Sequence, residues 1–156
     1  MDERGAGAAL ALPDEAATLA LGARLAGQVR PGDVIALSGT LGAGKTTLAR
    51  GLLAALGLAG EAPSPSFAIV QSYAPPETRI AVAHIDLYRL GEAAEAAELG
   101  LDDLRHDHLL LVEWPERLGA GLWADALRLV FAAGPEGGRR LTAEVPAAWE
   151  GRWPPT

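Results

Sequence analysis

Cysteine is absent from the 156-residue chain, which excludes a disulfide framework and any thiolate zinc site. Aromatic residues make up only 5% of the sequence, and no apolar run approaches the ~18 residues that a membrane-crossing helix needs. The start, Met1-Asp2-Glu3-Arg4-Gly5, is acidic where a secretory leader would be basic, so a cytoplasmic location is expected. Positive charge is also short: 13 basic against 20 acidic residues leave a net charge of −7, which repels a phosphate backbone and argues against autonomous nucleic-acid binding. Lysine is the scarcest of these. Of the 13 basic residues one is Lys45 and the rest are arginine.

That lysine lies in Gly39-Thr40-Leu41-Gly42-Ala43-Gly44-Lys45-Thr46, the G-x-x-x-x-G-K-[ST] pattern of a phosphate-binding loop. With this composition the string arises by chance in roughly one chain in a thousand. A compact ammonium can enter a ring of backbone N–H groups, whereas the wide guanidinium fork cannot. Asp33–Ser38 before the loop reads as a buried strand and Thr46–Leu56 after it as a helix, which is the order the motif requires.

The length suits one domain over 1–156, able to bury ~70% of its unfolded surface, with a core of about 10–145 and a tail, 146–156, expected to be poorly ordered. Leu10–Leu12 reads as a short strand stopped by Pro13, and Asp14 is placed to cap a helix carrying Thr18, Leu21, Leu25 and Val29. Phe67–Tyr73 and Arg79–Asp86 read as a hairpin, Leu109–Glu113 as a central strand ending on an acid, and Leu127–Ala132 and Arg139–Val145 as two last strands joined by a glycine-rich turn. Glu92–Glu98 reads as an acidic helix presenting either a solvated face or a partner surface. The expected fold is therefore α/β: a P-loop NTPase fold of three layers, with a mostly parallel or mixed central sheet flanked by helices.

A nucleoside triphosphate needs a lysine on its β- and γ-phosphates, a hydroxyl on Mg²⁺, and an acid at a strand end. Lys45 and Thr46 provide the first two. Asp86 and Glu113 each end an apolar strand at the carboxyl edge where α/β sheets bind ligands, so both are candidate metal and catalytic residues. One of them could orient the attacking water; Glu113 is preferred for that task and Asp86 for the metal side. Leu41, Gly42, Ala43, Gly44 and Thr47 complete the nucleotide loop, and Ser66, between prolines, sits on a loop of the kind that reaches γ-phosphate and Mg²⁺. His84 shares a strand face with Asp86 and reads either as a structural histidine or as a neighbour of the phosphates. His106 and His108 lack a third ligand and read as a surface loop, and Trp114 reads as a packing residue.

Leu12-Pro13-Asp14-Glu15-Ala16-Ala17-Thr18, Gly42-Ala43-Gly44-Lys45-Thr46-Thr47, Ser64-Pro65-Ser66-Phe67, His84-Ile85-Asp86-Leu87-Tyr88-Arg89-Leu90 and Val112-Glu113-Trp114-Pro115, in that order and spacing, resemble the bacterial TsaE (YjeE-type) ATPases of tRNA threonylcarbamoyladenosine biosynthesis. The resemblance implies a weak, Mg²⁺-dependent ATPase that binds ATP and ADP and acts with TsaB and TsaD to install threonylcarbamoyl on adenosine 37 of tRNAs reading codons that begin with A. Contact with tRNA would then be indirect, through the complex. It also implies Lys45 on phosphate, Thr46 and Glu113 with Mg²⁺, Asp86 with metal or water, and Glu15 and the Gly137-Gly138-Arg139 turn near the base or sugar. The chain departs from that pattern at Thr40, where the family usually has aspartate, and at Ser66, where it has threonine. A small-molecule P-loop kinase and a nucleotide-switched interaction module are the alternatives. A GTPase is disfavoured, because reading guanine through N-K-x-D needs a second lysine.

Overall fold

The computed structural model describes residues 9–40, 44–60, 70–88, 100–118, 123–134 and 137–155. Chain order runs β1 (Ala9–Leu12), α1 (Glu15–Ala26), β2 (Val34–Ser38), α2 (Lys45–Ala55), β3 (Val70–Tyr73), β4 (Val82–Asp86), α3 (Leu101–Arg105), β5 (Leu109–Glu113), β6 (Leu127–Ala133) and β7 (Arg139–Glu144). The strands form one seven-stranded sheet in the order β1-β7-β6-β2-β5-β4-β3. β2 pairs in parallel with β5 and β6, and β5 in parallel with β4. The pairs at the two flanks are antiparallel. The sheet is thus mixed, as expected, with the anticipated hairpin at β3–β4.

Sequence explains the central position of β2 and β5. All five residues of Leu109–Glu113 are buried, as are the first four of β2, and a strand without polar alternation is stable only when both faces are covered. One face carries Ile35, Leu37, Val82, Leu109 and Leu111 against Leu21 and Leu25 of α1 and Leu48 and Leu52 of α2. On the opposite face Val34, Ala83, Ile85, Leu110 and Val112 pack with Leu101 of α3.

Asp14 caps α1, its carboxylate accepting from the Ala17 N–H at 2.8 Å. Helices α1 and α2 meet backbone to backbone: a Cβ on Gly22 would lie 2.3 Å from the Leu48 carbonyl oxygen, and one on Gly51 2.3 Å from that of Leu19. Only glycine permits that approach.

The expectation of a poorly ordered tail is corrected. Trp149 is fully buried in the larger core. The Arg152 guanidinium sits 3.9 Å from its ring centroid, reaches both Asp33 carboxylate oxygens at 2.7 and 3.1 Å, and donates to the Gln28 and Ala148 carbonyls. Terminal position and proline content suggested a loose end; a large indole burying its area with an ion pair above it reverses that. Ser66, Leu41, Gly42, Ala43 and the Glu92–Glu98 segment lie outside the described residues.

Candidate functional site

The site forms where β2, β4 and β5 end. Because these strands are parallel neighbours, their carboxyl ends lie on one edge of the sheet, and residues paired across them share a face. Leu37 pairs with Glu113 and Glu113 with Asp86, so both acids point to the face that α2 covers. The chain leaves β2 through Gly39 at φ 139° and enters α2 through Gly44 at φ 111°. Both values lie in the left-handed region that favours glycine, and a Cβ on Gly39 would sit 2.8 Å from the Phe131 carbonyl oxygen.

Gly44 cannot cap α2 with a side chain, and the first turn of α2 carries no acidic residue. Its leading N–H groups and the positive end of its dipole are left for an anion. Lys45 opens that helix and is only 3% exposed. Its ammonium donates to the Gly39 carbonyl at 2.6 Å and lies 3.7 Å from the Trp114 ring centroid, a cation–π distance. Burial lowers its pKa below the ordinary 10.5, against the opposing charges of Glu113, Glu116 and Asp86. An arriving phosphate would supply the compensation that the desolvated ammonium lacks.

Beside Lys45, the Thr46 hydroxyl donates to Glu113, 3.1 Å from Oε1 and 3.3 Å from Oε2. Glu113 is 3% exposed, and its Oε2 lies 2.7 Å from His84 Nε2. Asp86 is partly exposed, and its Oδ1 accepts from the Tyr88 N–H at 2.9 Å. Among the described residues no three His, Cys, Asp or Glu side chains converge on a metal position. A hydroxyl with one or two carboxylates, all hard oxygen donors, nonetheless fits Mg²⁺, which takes its remaining ligands from water and substrate phosphates. The donor set is unsuited to a soft metal.

A cavity of about 300 Å³ adjoins the start of α2, lined in part by Asp14, Glu15, Gly44, Thr47, Gly138 and Arg139. Glu15 and the 137–139 turn are far apart in sequence and meet here because β1 pairs with β7. His106 and His108 fall elsewhere: His106 is exposed and His108 Nδ1 lies 2.6 Å from its neighbour's Asp107 Oδ1.

Two participants escape sequence reasoning. Trp114 adopts φ 61°, a left-handed conformation rare for a bulky residue, and this turns its ring under Lys45 and 4.9 Å from Tyr88. Composition carries no sign of that. Glu116, in the 3-10 turn Pro115–Leu118, accepts from the Ser38 hydroxyl at 3.1 Å; its proximity to Glu113 in sequence was the available hint.

Residues 12–141 match the family described as threonylcarbamoyl adenosine biosynthesis protein TsaE. The chain is 44% identical over 110 residues to the tRNA threonylcarbamoyladenosine biosynthesis protein TsaE of Streptomyces coelicolor, covering 70% of this chain and 74% of that protein. Its counterpart in Bacillus subtilis is 34% identical over 131 residues, covering 83% and 79%. Among solved structures the chain is similar to the crystal structure of Bacillus subtilis YdiB, with a TM-score of 0.73 and 28% identity over 92% of this chain and 88% of that one. The fold is accordingly the α/β, P-loop NTPase-like fold expected from the sequence.

Proposed function

Because the chain belongs to the TsaE family, whose members are named for tRNA threonylcarbamoyladenosine biosynthesis, we propose that it is a Mg²⁺-dependent ATP hydrolase. It would act with TsaB and TsaD in forming the modification on adenosine 37. The observation that carries this reading is the hydrogen bond from Thr46, at the open start of α2, to buried Glu113 at the end of β5. A hydroxyl and a carboxylate held together beside a phosphate-binding lysine are what a metal–triphosphate complex requires.

Lys45 gives up the Gly39 carbonyl and donates to the β- and γ-phosphate oxygens. The first amides of α2 and the 41–44 backbone hold the α- and β-phosphates. Thr46, Glu113 and Asp86 would hold Mg²⁺, which would supply positive charge to offset the negative charge developing on the phosphates. Asp86, closer to solvent, is suited to act through a water, and Ser66 is assigned to the γ-phosphate side. Glu15, Thr47 and Arg139 line the space next to the loop that would receive the nucleoside. No helix among the described residues is long and apolar enough to cross a membrane; a cytoplasmic location belongs to the proposal through the tRNA-modifying role. The group transferred to tRNA would come from elsewhere, so hydrolysis here drives or resets the assembly.

The test is ATP turnover by the purified chain, alone and then with TsaB, TsaD and tRNA, beside Lys45→Ala. Stimulation by the partners that disappears in the variant is the expected result. Slow turnover unaffected by partners, or an acceptor that captures the phosphate, would favour a kinase or a binding module.

A further inference from the structure

Among the described residues His84 is the only buried histidine, 1% exposed, and the core gives no reason for it. It stands on β4 opposite Leu111, between Val82 and Asp86 on the face that α2 covers. Val82, Leu109 and Leu111 around it are apolar, and a leucine would fill the same space without a polar cost. Instead an imidazole is buried with Nδ1 lacking any hydrogen-bond partner among the described residues, which disfavours folding unless another interaction offsets it. Among the described residues its hydrogen bond is with Glu113, at 2.7 Å through Nε2.

Hydrogen counting sets the direction of that bond. An ionised carboxylate only accepts, so Nε2 carries the proton and donates, and Nδ1 is left as a lone pair, which is cheaper to bury than an unpaired N–H. Glu113 is then divided. His84 occupies Oε2, while Oε1 is the nearer acceptor for the Thr46 hydroxyl. The shorter bond, 2.7 Å from His84, pins Oε2 more firmly than the 3.1 Å hydroxyl contact pins Oε1, and a hydroxyl can turn its proton away where a neutral imidazole N–H cannot, so Oε1 is the oxygen more readily given to a cation.

The geometry points to His84 as a positioning residue that keeps Glu113 monodentate and thereby sets which cation the site prefers. Mg²⁺ wants six ligands in near-octahedral order at about 2.1 Å, which suits one carboxylate oxygen beside one hydroxyl, whereas Ca²⁺ is larger and accepts a bidentate carboxylate. Fixing Oε2 from behind favours the small ion and works against the large one. Hydrogen-bond partners behind a ligating carboxylate change metal affinity by about 10–100-fold when removed. The inference rests on the ATPase reading, since it takes Thr46 and Glu113 as the metal side of a nucleotide site.

The experiment measures Mn²⁺, a spectroscopic stand-in for Mg²⁺, binding to the full chain with ADP by electron paramagnetic resonance, with Ca²⁺ as competitor. It uses the unaltered protein, His84→Leu and His84→Gln. Loss of the donor in His84→Leu should weaken Mn²⁺ binding about tenfold or more and make Ca²⁺ a better competitor. Metal-free ADP affinity should hold, and His84→Gln, whose amide can donate to Oε2, should recover most of the preference. Equal Mn²⁺ affinity and Ca²⁺ competition in all three proteins overturns the inference, as does a glutamine variant no better than leucine. If the variants do not fold, ¹⁵N spectra of the three histidines in the unaltered protein decide it: a proton on His84 Nε2 supports the assignment and one on Nδ1 alone refutes it. Absence of nucleotide-dependent Mn²⁺ binding in the unaltered protein would instead remove the cofactor reading on which the inference depends.

Discussion

Lys45 illustrates how a single side chain holds a site in readiness. Its ammonium is desolvated, turned back onto the Gly39 carbonyl and laid over Trp114, so on the proposed reading an incoming triphosphate would exchange one set of partners for a stronger one. If Lys45 serves the proposed ATPase, Lys45→Ala removes a charge-assisted donor to the phosphoryl group, and ATP hydrolysis should fall by ~10²-fold or more, as when other transition-state donors are lost; single-turnover assays measure this. The lowered pKa has its own signature. Between the lowered value and 10.5 the unfolded chain binds more protons at this position than the folded one, so stability rises with pH across that window, and the full penalty applies below it. Compared with Lys45→Met, the unaltered nucleotide-free protein should therefore gain unfolding free energy as pH climbs toward 10.5, measured by denaturant titration; a constant difference would contradict the burial argument. Lys45 and Thr46 were legible because the motif is local. The Thr46–Glu113 and His84–Glu113 bonds were not, because they depend on which residue faces which across β4 and β5, a register that only the assembled sheet defines.

At the scale of elements, patterning carried most of the reading. The wholly apolar run of β5 and the aspartate before α1 identify a central strand and a capped helix without tertiary knowledge. The β4 strand was expected to start at Arg79 but starts at Val82, because the Thr78 hydroxyl donates to the Ile80 carbonyl at 2.7 Å and the Arg79 N–H to the Leu56 carbonyl at 2.7 Å. These bonds fold the segment into a turn. Helix α3, five residues long, is too short for apolar periodicity to register. Nor did any pattern announce the contact of α1 with α2 through Gly22 and Gly51. Gly51→Ala places a methyl against the Leu19 carbonyl and forces the helices apart. Overpacking of this kind costs about 1–3 kcal/mol, and at ~2–4 °C per kcal/mol for a domain of this size the thermal midpoint should fall several degrees. An unchanged midpoint in calorimetry would mean that the helices part without cost.

On the scale of the whole molecule, the C-terminal segment closes the larger core. Trp149 fills it and Arg152 ties the 148–152 stretch to Asp33, at the entrance to β2. Trp149→Ala should cost about 3–5 kcal/mol, the range for aromatic truncation in a core, seen as a lower denaturation midpoint with the same slope. A loss within 0.5 kcal/mol, the size of an ordinary surface substitution, would restore the picture of a loose end. That segment was illegible in sequence because proline and terminal position argue locally, while the void that Trp149 fills is created by α1 and the sheet.

The chain's one lysine also gives it an unusual chemical labelling profile. Every other basic side chain is a guanidinium, inert to reagents that acylate primary amines, and Lys45 is buried at the phosphate loop. Apart from the chain's own α-amino group, an amine-directed reagent has a single target. Labelling there should be slow because the amine is buried, and phosphate bound at the proposed site should slow it further, so the rate at which mass is added to the peptide containing residue 45 would report occupancy of that site by mass spectrometry, without a fluorescent analogue or an engineered probe.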